Sequence, residues 1–512
     1  MNAPFLPPEA LFEPLDLIDP TLADRAFLPG ASLAAAELVA ARVTAQPLEE
    51  PVRNAGVGAL LGAFAAGALT PVEALAALTR AVETDPSGSE AVVTAIPDAQ
   101  RHAAESTRRW RAGEARPLEG VPFAVKDIID VEGASVTCGS HFTGARRAPA
   151  DAAVVASLRA AGAIPFVMAA TSEFAAGLPN NPRFGPVTNP WDRSRWSGGS
   201  STGSGAGLAA RLFPLALGTD TAGSIRVPSC WCGTTGLKPS RELVSRAGVS
   251  SLSWTLDHVG PMTRSAADIA RVLPFMTASP DPALAADCAA LVDRPPGLAG
   301  LRVGVPVDWF TERVDAAVLR NWQAALKVLE SLGCTIVALP PLRIASLQEL
   351  GWAILLTELA ANHGDRLAHG ELLDAGVRAR LTAGVEIRAA DYTQALRARR
   401  QAQEIFLSAM VDIDLIVTPG VGSEAGVIES LTVTIDGVSK TFQEIASRNT
   451  MMFDLTGFPA LMLPSGLGAC GLPTGIQVVA RPRADALCLR VGIGFQAATD
   501  HHLARPPYLA AG

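Results

Sequence analysis

Residues 212–228 read LFPLALGTDTAGSIRVP. The apolar run Leu212–Leu217 gives way at once to small and polar residues, Gly218–Pro228. That is the form of a buried strand ending in a tight turn. Small residues around Ser224 let consecutive backbone N–H groups converge on one point, as an oxyanion hole requires. Working outward, apolar runs recur between helical stretches. Val121–Val125 is a short run closed by Lys126-Asp127. Asp151 opens a helical stretch through Leu158, closed by Gly162, and Ala163–Ala169 reads as a strand. Residues 301–306 read as a strand, Asn321–Leu332 as a helix stopped by Gly333, and Cys334–Leu339 as a strand. This alternation predicts an α/β layer fold. Residues 345–410 carry few turn signals and read as helical, while Asp414–Thr418 and Ile476–Ala480 read as late strands of the same sheet. Thr70-Pro71-Val72-Glu73 predicts a helix start, with Thr70 as N-cap, Pro71 at N1 and Glu73 completing a capping box. Val72, Leu75, Leu78 and Val82 then mark its apolar face. Residues 1–50, rich in Pro, Ala and acids, read as an N-terminal arm. Residues 51–512 read as one large domain, with the helical region at about 345–410 as part of it.

Composition narrows the function. The 512 residues are 49% hydrophobic and 18% charged, enough to bury a large core and to exclude disorder as the main state. A net charge of -8 argues against phosphate neutralisation, so no nucleic-acid partner is expected. The seven cysteines are scattered, at 138, 230, 232, 288, 334, 470 and 488, with no CxxC, which predicts reduced thiols and a cytoplasmic protein. The N-terminus lacks a basic region and a clean apolar core, so it is not read as a secretory signal. The apolar stretch Ala55–Leu69 is too short to span a bilayer, so no membrane partner is expected. No histidine pair has HExxH spacing, and neither a metal nor an organic cofactor is expected.

Three stretches carry the chemistry. Ser197–Gly207, SGGSSTGSGAG, allows three readings: a flexible loop, a phosphate cradle or a hydrolase nucleophile loop. The cradle lacks GxxxxGK[ST] and GxGxxG. Gly199–Gly203 matches G-x-S-x-G with Ser201 as nucleophile, but Trp191–Trp196 is not a buried strand, and adjacent Asp257 and His258 diverge. Gly218–Pro228 supplies the N–H turn. In Pro117–Asp130, PLEGVPFAVKDIID, Lys126 closes an apolar run. Desolvation there lowers a lysine pKa from about 10.4, and a neutral lysine is a general base.

Taken together, these stretches resemble the amidase signature family over roughly residues 65–510. Lys126 matches the lysine of its P-L-x-G-[VI]-P-x-x-V-K-D segment. Ser200 matches the first serine of G-G-S-S-G-G-S, which in the family follows a cis peptide bond. Ser224 matches the nucleophile of G-T-D-x-G-G-S-I-R-x-P, 24 residues on, as in the family. Cys232-Gly233, Gly236–Pro239, Leu256–Met262, Thr456–Ala460 and Gly471–Gly475 fit as well. Thr202 and Ala222 depart from the pattern, each standing where the family usually has Gly.

The resemblance implies a large twisted mixed β-sheet flanked by helices on both faces. It implies a Ser-cisSer-Lys triad in which neutral Lys126 takes a proton from Ser200, which takes one from Ser224. Ser224 Oγ then attacks an amide carbonyl, and the backbone N–H groups of Thr221, Ala222, Gly223 and Ser224 hold the oxyanion. Ser201, Asp220 and Arg226 are expected to support the site. The pocket is expected from Thr171–Phe184 and from about 345–400, with Phe174, Leu178, Trp254 and Trp352 as leading lining candidates beside Phe184, Trp191 and Trp196. No cationic trap for a carboxylate is obvious, although Arg388 and Arg397 are available. The leading expectation is a free-standing amidase hydrolysing a small apolar or aryl amide, or a carbamate or urea-type substrate, with a homodimer as its oligomeric state. The alternative is the glutaminase (A-type) subunit of a tRNA-dependent amidotransferase, and a third reading is a non-enzymatic binding protein.

Overall fold

The computed structural model describes residues 43–144, 146–293 and 296–510. Most of the expected arm at residues 1–50 therefore lies outside the described residues. Fifteen strands are present among the described residues: β1 Val92–Ala95, β2 Pro122–Lys126, β3 Ile164–Ala169, β4 Thr188–Asn189, β5 Asp192–Trp196, β6 Leu215–Asp220, β7 Thr235–Lys238, β8 His258–Thr263, β9 Arg302–Val305, β10 Thr335–Ala338, β11 Leu415–Pro419, β12 Thr432–Ile435, β13 Val438–Thr441, β14 Ala460–Leu467 and β15 Pro473–Ala480. Eleven of them form one sheet in the order β1-β3-β2-β6-β8-β7-β14-β15-β11-β9-β10. The sheet is mixed. β3, β2 and β6 run parallel, as do β11, β9 and β10, and the strands between are antiparallel.

Both faces of this sheet are covered. Phe123, Val125, Leu215 and Leu217 pack into one buried cluster, while their neighbours Ala124 and Ala216 pack into another. Alternate residues of a strand point to opposite faces, so these strands are apolar throughout.

Seven helices matter to the site and its frame: α1 Pro71–Thr84, α2 Thr202–Ala209, α3 Arg226–Cys232, α4 Ala345–His363, α5 Ala375–Val385, α6 Ala389–Ala409 and α7 Met451–Thr456. The Thr70–Glu73 capping box opens α1 as its sequence predicts. Its buried face is Pro71, Ala74, Leu75, Leu78 and Ala81, so Val72, placed on that face by spacing, is instead exposed.

The Ser/Gly-rich run is only half a loop. Its second part is α2, buried at every residue. Glycine disfavours helix, and packing reverses the preference. A Cβ at Gly203 would lie 2.2 Å from Ala91 O, and one at Gly207 would lie 2.1 Å from the Phe213 ring. Trp191–Trp196, which does not read as a buried strand, contributes β5, half-exposed and paired with β4 in a ribbon separate from the main sheet.

Candidate active site

β2 and β6 are adjacent and parallel, with Val125 opposite Leu217, so both C-terminal ends reach the same edge. Open α/β sheets place their sites at this edge. Lys126 ends β2 and is fully buried. Its Nζ lies 2.7 Å from Ser200 Oγ and 2.8 Å from Thr219 Oγ1. Burial pushes the ammonium pKa down to about 7, against the pull of Asp220 and Asp257. A substantial neutral fraction therefore exists at neutral pH. Ser200 follows a cis peptide bond from Gly199, and its carbonyl accepts from Ser172 N at 3.1 Å.

The turn after β6 carries Ser224. Asp220, fully buried, folds back over it and accepts from the N–H groups of Gly223 (2.6 Å), Ile225 (3.1 Å) and Arg226 (3.2 Å). Burial would raise this carboxyl, but Arg226 beside it holds it well below the usual range. The Gly223 N–H, expected in the oxyanion hole, is thus withdrawn by Asp220. Thr221, Ala222 and Ser224 remain as backbone donors. The turn's positive φ, +126°, falls on Gly223 and not on Ala222, so the alanine at 222 is accommodated. Thr450 Oγ1 donates to Ala222 O at 2.6 Å and pins the turn from outside. Thr202 is also accommodated: it opens α2 and donates its hydroxyl to Ala170 O at 3.0 Å. Ser201 is fully buried, with Oγ 3.3 Å from Thr219 O and N–H donating to Ser224 O. It braces the turn and does not line the cavity.

Ser200 and Ser224 face one cavity, walled by Ala175–Leu178, Trp196, Leu252, Trp352, Leu355, Phe442 and Arg380. The expected pocket segments, Thr171–Phe184 and 345–400, both contribute. Leu178 and Trp352 line it as expected. Phe174 and Trp254 do not. Phe174 stacks on His363, ring centroids 4.2 Å apart, and Trp254 stands exposed at a turn tip. Phe184 is exposed under Arg183, and Trp191 donates to Cys232 O.

The sequence missed the cavity's cation. Arg380, on α5, lies 5.6 Å from the Trp352 ring centroid and donates to Ala176 O. The positions considered for a carboxylate trap do not reach the cavity. Arg388 is exposed and pairs with Asp391, and Arg397 is absent from the wall. Nothing local marks Arg380, which is one of many arginines on helices of this region. Thr219 and Thr450 were missed too, although Thr219 lies within the G-T-D segment. As expected, Asp257 and His258 diverge: Asp257 accepts from Thr221 Oγ1, and His258 Nδ1 sits 2.7 Å from Leu256 O.

A buried lysine of lowered pKa, two hydroxyls and a turn of free N–H groups suit acyl transfer through a serine. The family model described as Amidase matches residues 73–489. The A-type subunit of the glutamyl-tRNA(Gln) amidotransferase of Chromohalobacter salexigens is 36% identical over 442 residues, covering 80% of this chain and 89% of the relative. Among solved structures, one from a vestigial protein complex tied to the origins of an s-triazine catabolic enzyme has a TM-score of 0.81 at 29% identity. It spans 88% of this chain and 100% of its own. The native peptide amidase of Stenotrophomonas maltophilia has a TM-score of 0.74 at 26% identity, over 88% and 98%. The amidotransferase likeness overturns the expectation of a free-standing hydrolase of small apolar amides. It overturns equally the expectation that a small molecule and a second copy are the only partners.

Proposed function

The chain belongs to the amidase family, and we propose that within it this chain is the glutamine-hydrolysing A-type subunit of a tRNA-dependent amidotransferase. It is a hydrolase of C–N bonds. The observation that supports glutamine is Arg380. It is a guanidinium set in the cavity wall, where the Ala176 carbonyl, the Trp352 ring and the nearby Asp374 carboxylate act on it. A half-buried arginine of this kind favours a ligand carboxylate, bound by two parallel N–H···O bonds.

In the proposed reaction, Lys126 in its neutral form accepts the Ser200 proton as Ser200 accepts that of Ser224. Ser224 Oγ attacks the glutamine side-chain carbonyl carbon, and the carbonyl π pair moves to the oxygen. The N–H groups of Thr221, Ala222 and Ser224 hold that oxyanion, each worth about 2.7–4 kcal/mol. The C–N bond breaks, Ser200 returns a proton to nitrogen, and ammonia leaves. Water then cleaves the acyl-enzyme by the same proton path, releasing glutamate. In this reading the ammonia passes to a partner subunit that holds the charged tRNA.

The test is ammonia release from glutamine by the full chain, alone and with candidate partner subunits, beside Ser224→Ala. Glutamine-dependent release that needs Ser224 and rises with partner subunits is expected. Turnover of simple amides with none of glutamine in either setting would overturn the proposal.

A further inference from the structure

The oxyanion turn is tied to the helices over the cavity by an unbroken line of hydrogen bonds. Thr221 Oγ1 donates to Asp257 Oδ1 at 2.7 Å. Asp257 also accepts from Ser251 Oγ (2.8 Å), Leu252 N (3.0 Å) and Ser253 N (3.1 Å), so it shapes the turn that carries Leu252 into the cavity wall. The next link is Ser253 Oγ, 2.5 Å from Glu358 Oε2 on α4. Glu358 is fully buried. Its oxygens take three more donors: Thr255 N (3.0 Å), Thr255 Oγ1 (2.8 Å) and, from α6, Tyr392 OH (2.8 Å). Asn362, one turn further along α4, donates to the carbonyls of Ser251 and Leu252. The same α4 supplies Trp352 and Leu355 to the cavity.

We infer that Glu358 is a positioning residue for the oxyanion turn, acting through Ser253 and Asp257 on Thr221. This rests on the reading of Thr221–Ser224 as the oxyanion-holding turn. Glu358 touches neither Ser200 nor Ser224 and is not among the cavity's lining residues. Of its four donors only the Thr255 N–H is obliged to donate, while the three hydroxyls can also accept, so a carboxamide can stand in for the carboxylate and an apolar side chain cannot. With leucine at 358, all four groups lose their partner, the 251–255 turn loosens, and Asp257 no longer fixes the Thr221 hydroxyl. A displacement near 1 Å in a reacting site costs about 100-fold, so loosening is expected to show in the chemical step.

The experiment measures labelling of Ser224 in the full chain by an alkyl fluorophosphonate, followed by intact mass and peptide mapping. Fluoride leaves as Ser224 Oγ bonds to phosphorus, and the phosphoryl oxygen of the adduct occupies the place of the oxyanion. Glu358→Leu is expected to lower the maximal labelling rate between about 10- and 100-fold with unchanged half-saturation. Thr221→Val, which removes the hydroxyl, is expected to do the same. The double variant Glu358→Leu, Thr221→Val is expected to be no slower than its slower parent, because both changes cut one path. Ser253→Ala cuts that path at its middle and carries the test if Glu358→Leu does not fold. A wild-type maximal rate in Glu358→Leu or Ser253→Ala, a change confined to half-saturation, or losses that multiply in the double variant overturn the inference. Wild-type chain unlabelled at Ser224 overturns the nucleophile reading itself, a separate outcome.

Discussion

At the residue scale, Lys126 is the group on which the proposed chemistry turns. Its pKa of about 7, set first by burial, places its loss of charge at neutral pH. Glutaminase activity is expected to rise through pH 7 and level off above it. Lys238 is also fully buried with a pKa lowered to about 7, so the assignment needs a control. The rise should persist in Lys238→Met, while Lys126→Met should abolish activity. A flat profile from pH 5 to 9 would sink the lysine's role as base. Stability moves in the same direction over a higher pH window. The folded pKa lies below the unfolded 10.5, so the unfolded chain binds the extra proton between about 7 and 10.5. Lysine at 126 therefore costs most below pH 7, and the cost fades as pH rises through that window. Lys126→Met is expected to raise the unfolding free energy read from urea titration, by about 1–4 kcal/mol at pH 6 and by nearly nothing at pH 10.5. Arg380 sets the substrate end. Arg380→Gln is expected to cut kcat/KM for glutamine about 30- to 1,000-fold, the worth of a ~2–4 kcal/mol charge pair. Turnover of an amide without a carboxylate should barely change. Equal losses on both substrates would mean that Arg380 only braces the wall.

At the scale of elements, the turn between β6 and α3 decides whether Ser224 is presented at all. Gly223 has φ +126°, and a Cβ there would lie 2.3 Å from Thr450 Oγ1, the hydroxyl that holds Ala222 O. The turn cannot admit that Cβ and keep Thr450. Gly223→Ala is expected to slow fluorophosphonate labelling of Ser224 by about 100-fold or more, and Ala222→Gly to leave it within a few-fold. Comparable rates for the two variants would show that the strain lies elsewhere. This turn was legible in the sequence because its chemistry is local: a run of small residues after an apolar strand has few other uses. So were β2, β3, β9, β10, β11 and β15, whose apolar runs stand between turn signals. The central strands β7, Thr235–Lys238, and β8, His258–Thr263, were not. They bury a lysine, a histidine, glycines and a proline, which read as loop when their partners are unseen. α2 stayed hidden for the converse reason, since glycine lowers helix propensity and only packing restores it. Arg380 and Glu358 gave no signal because each draws its meaning from segments more than a hundred residues away.

At the scale of the whole molecule, Arg226 joins the first half of the sheet to the last. All five of its N–H donors are used. Nε and one Nη2 hydrogen serve Asp220 at the end of β6, and the other Nη2 hydrogen reaches Asp454 on α7 at 2.6 Å. Nη1 serves Thr450 O and Gln477 Oε1 on β15, at 2.8 and 2.7 Å. Arg226, Asp220, Asp454 and Gln477 are all fully buried. The proposed site around Ser224 is therefore also a joint in the core, and the same guanidinium holds carboxyl groups from both halves. Removing one partner of a buried ion cluster leaves an uncompensated charge, typically worth about 3–5 kcal/mol. Arg226→Met keeps an unbranched apolar stem without the guanidinium, and at pH 7 it is expected to lower unfolding free energy by about that amount, read from urea titration with a common slope. The loss should depend on pH with a definite sign. Asp220 has a folded pKa below its unfolded 3.8, so its contribution is present above that value and is lost as pH falls through the folded one. Asp454 is pushed well above 3.8, first by burial and against the pull of Arg226, so removing the arginine favours its protonated form further. A protonated carboxyl no longer needs the cation, so the gap between wild type and variant should narrow from pH 7 to pH 4. A gap below about 1 kcal/mol at pH 7, or one that widens on acidification, would mean that packing around α3, and not this ion cluster, joins the two halves.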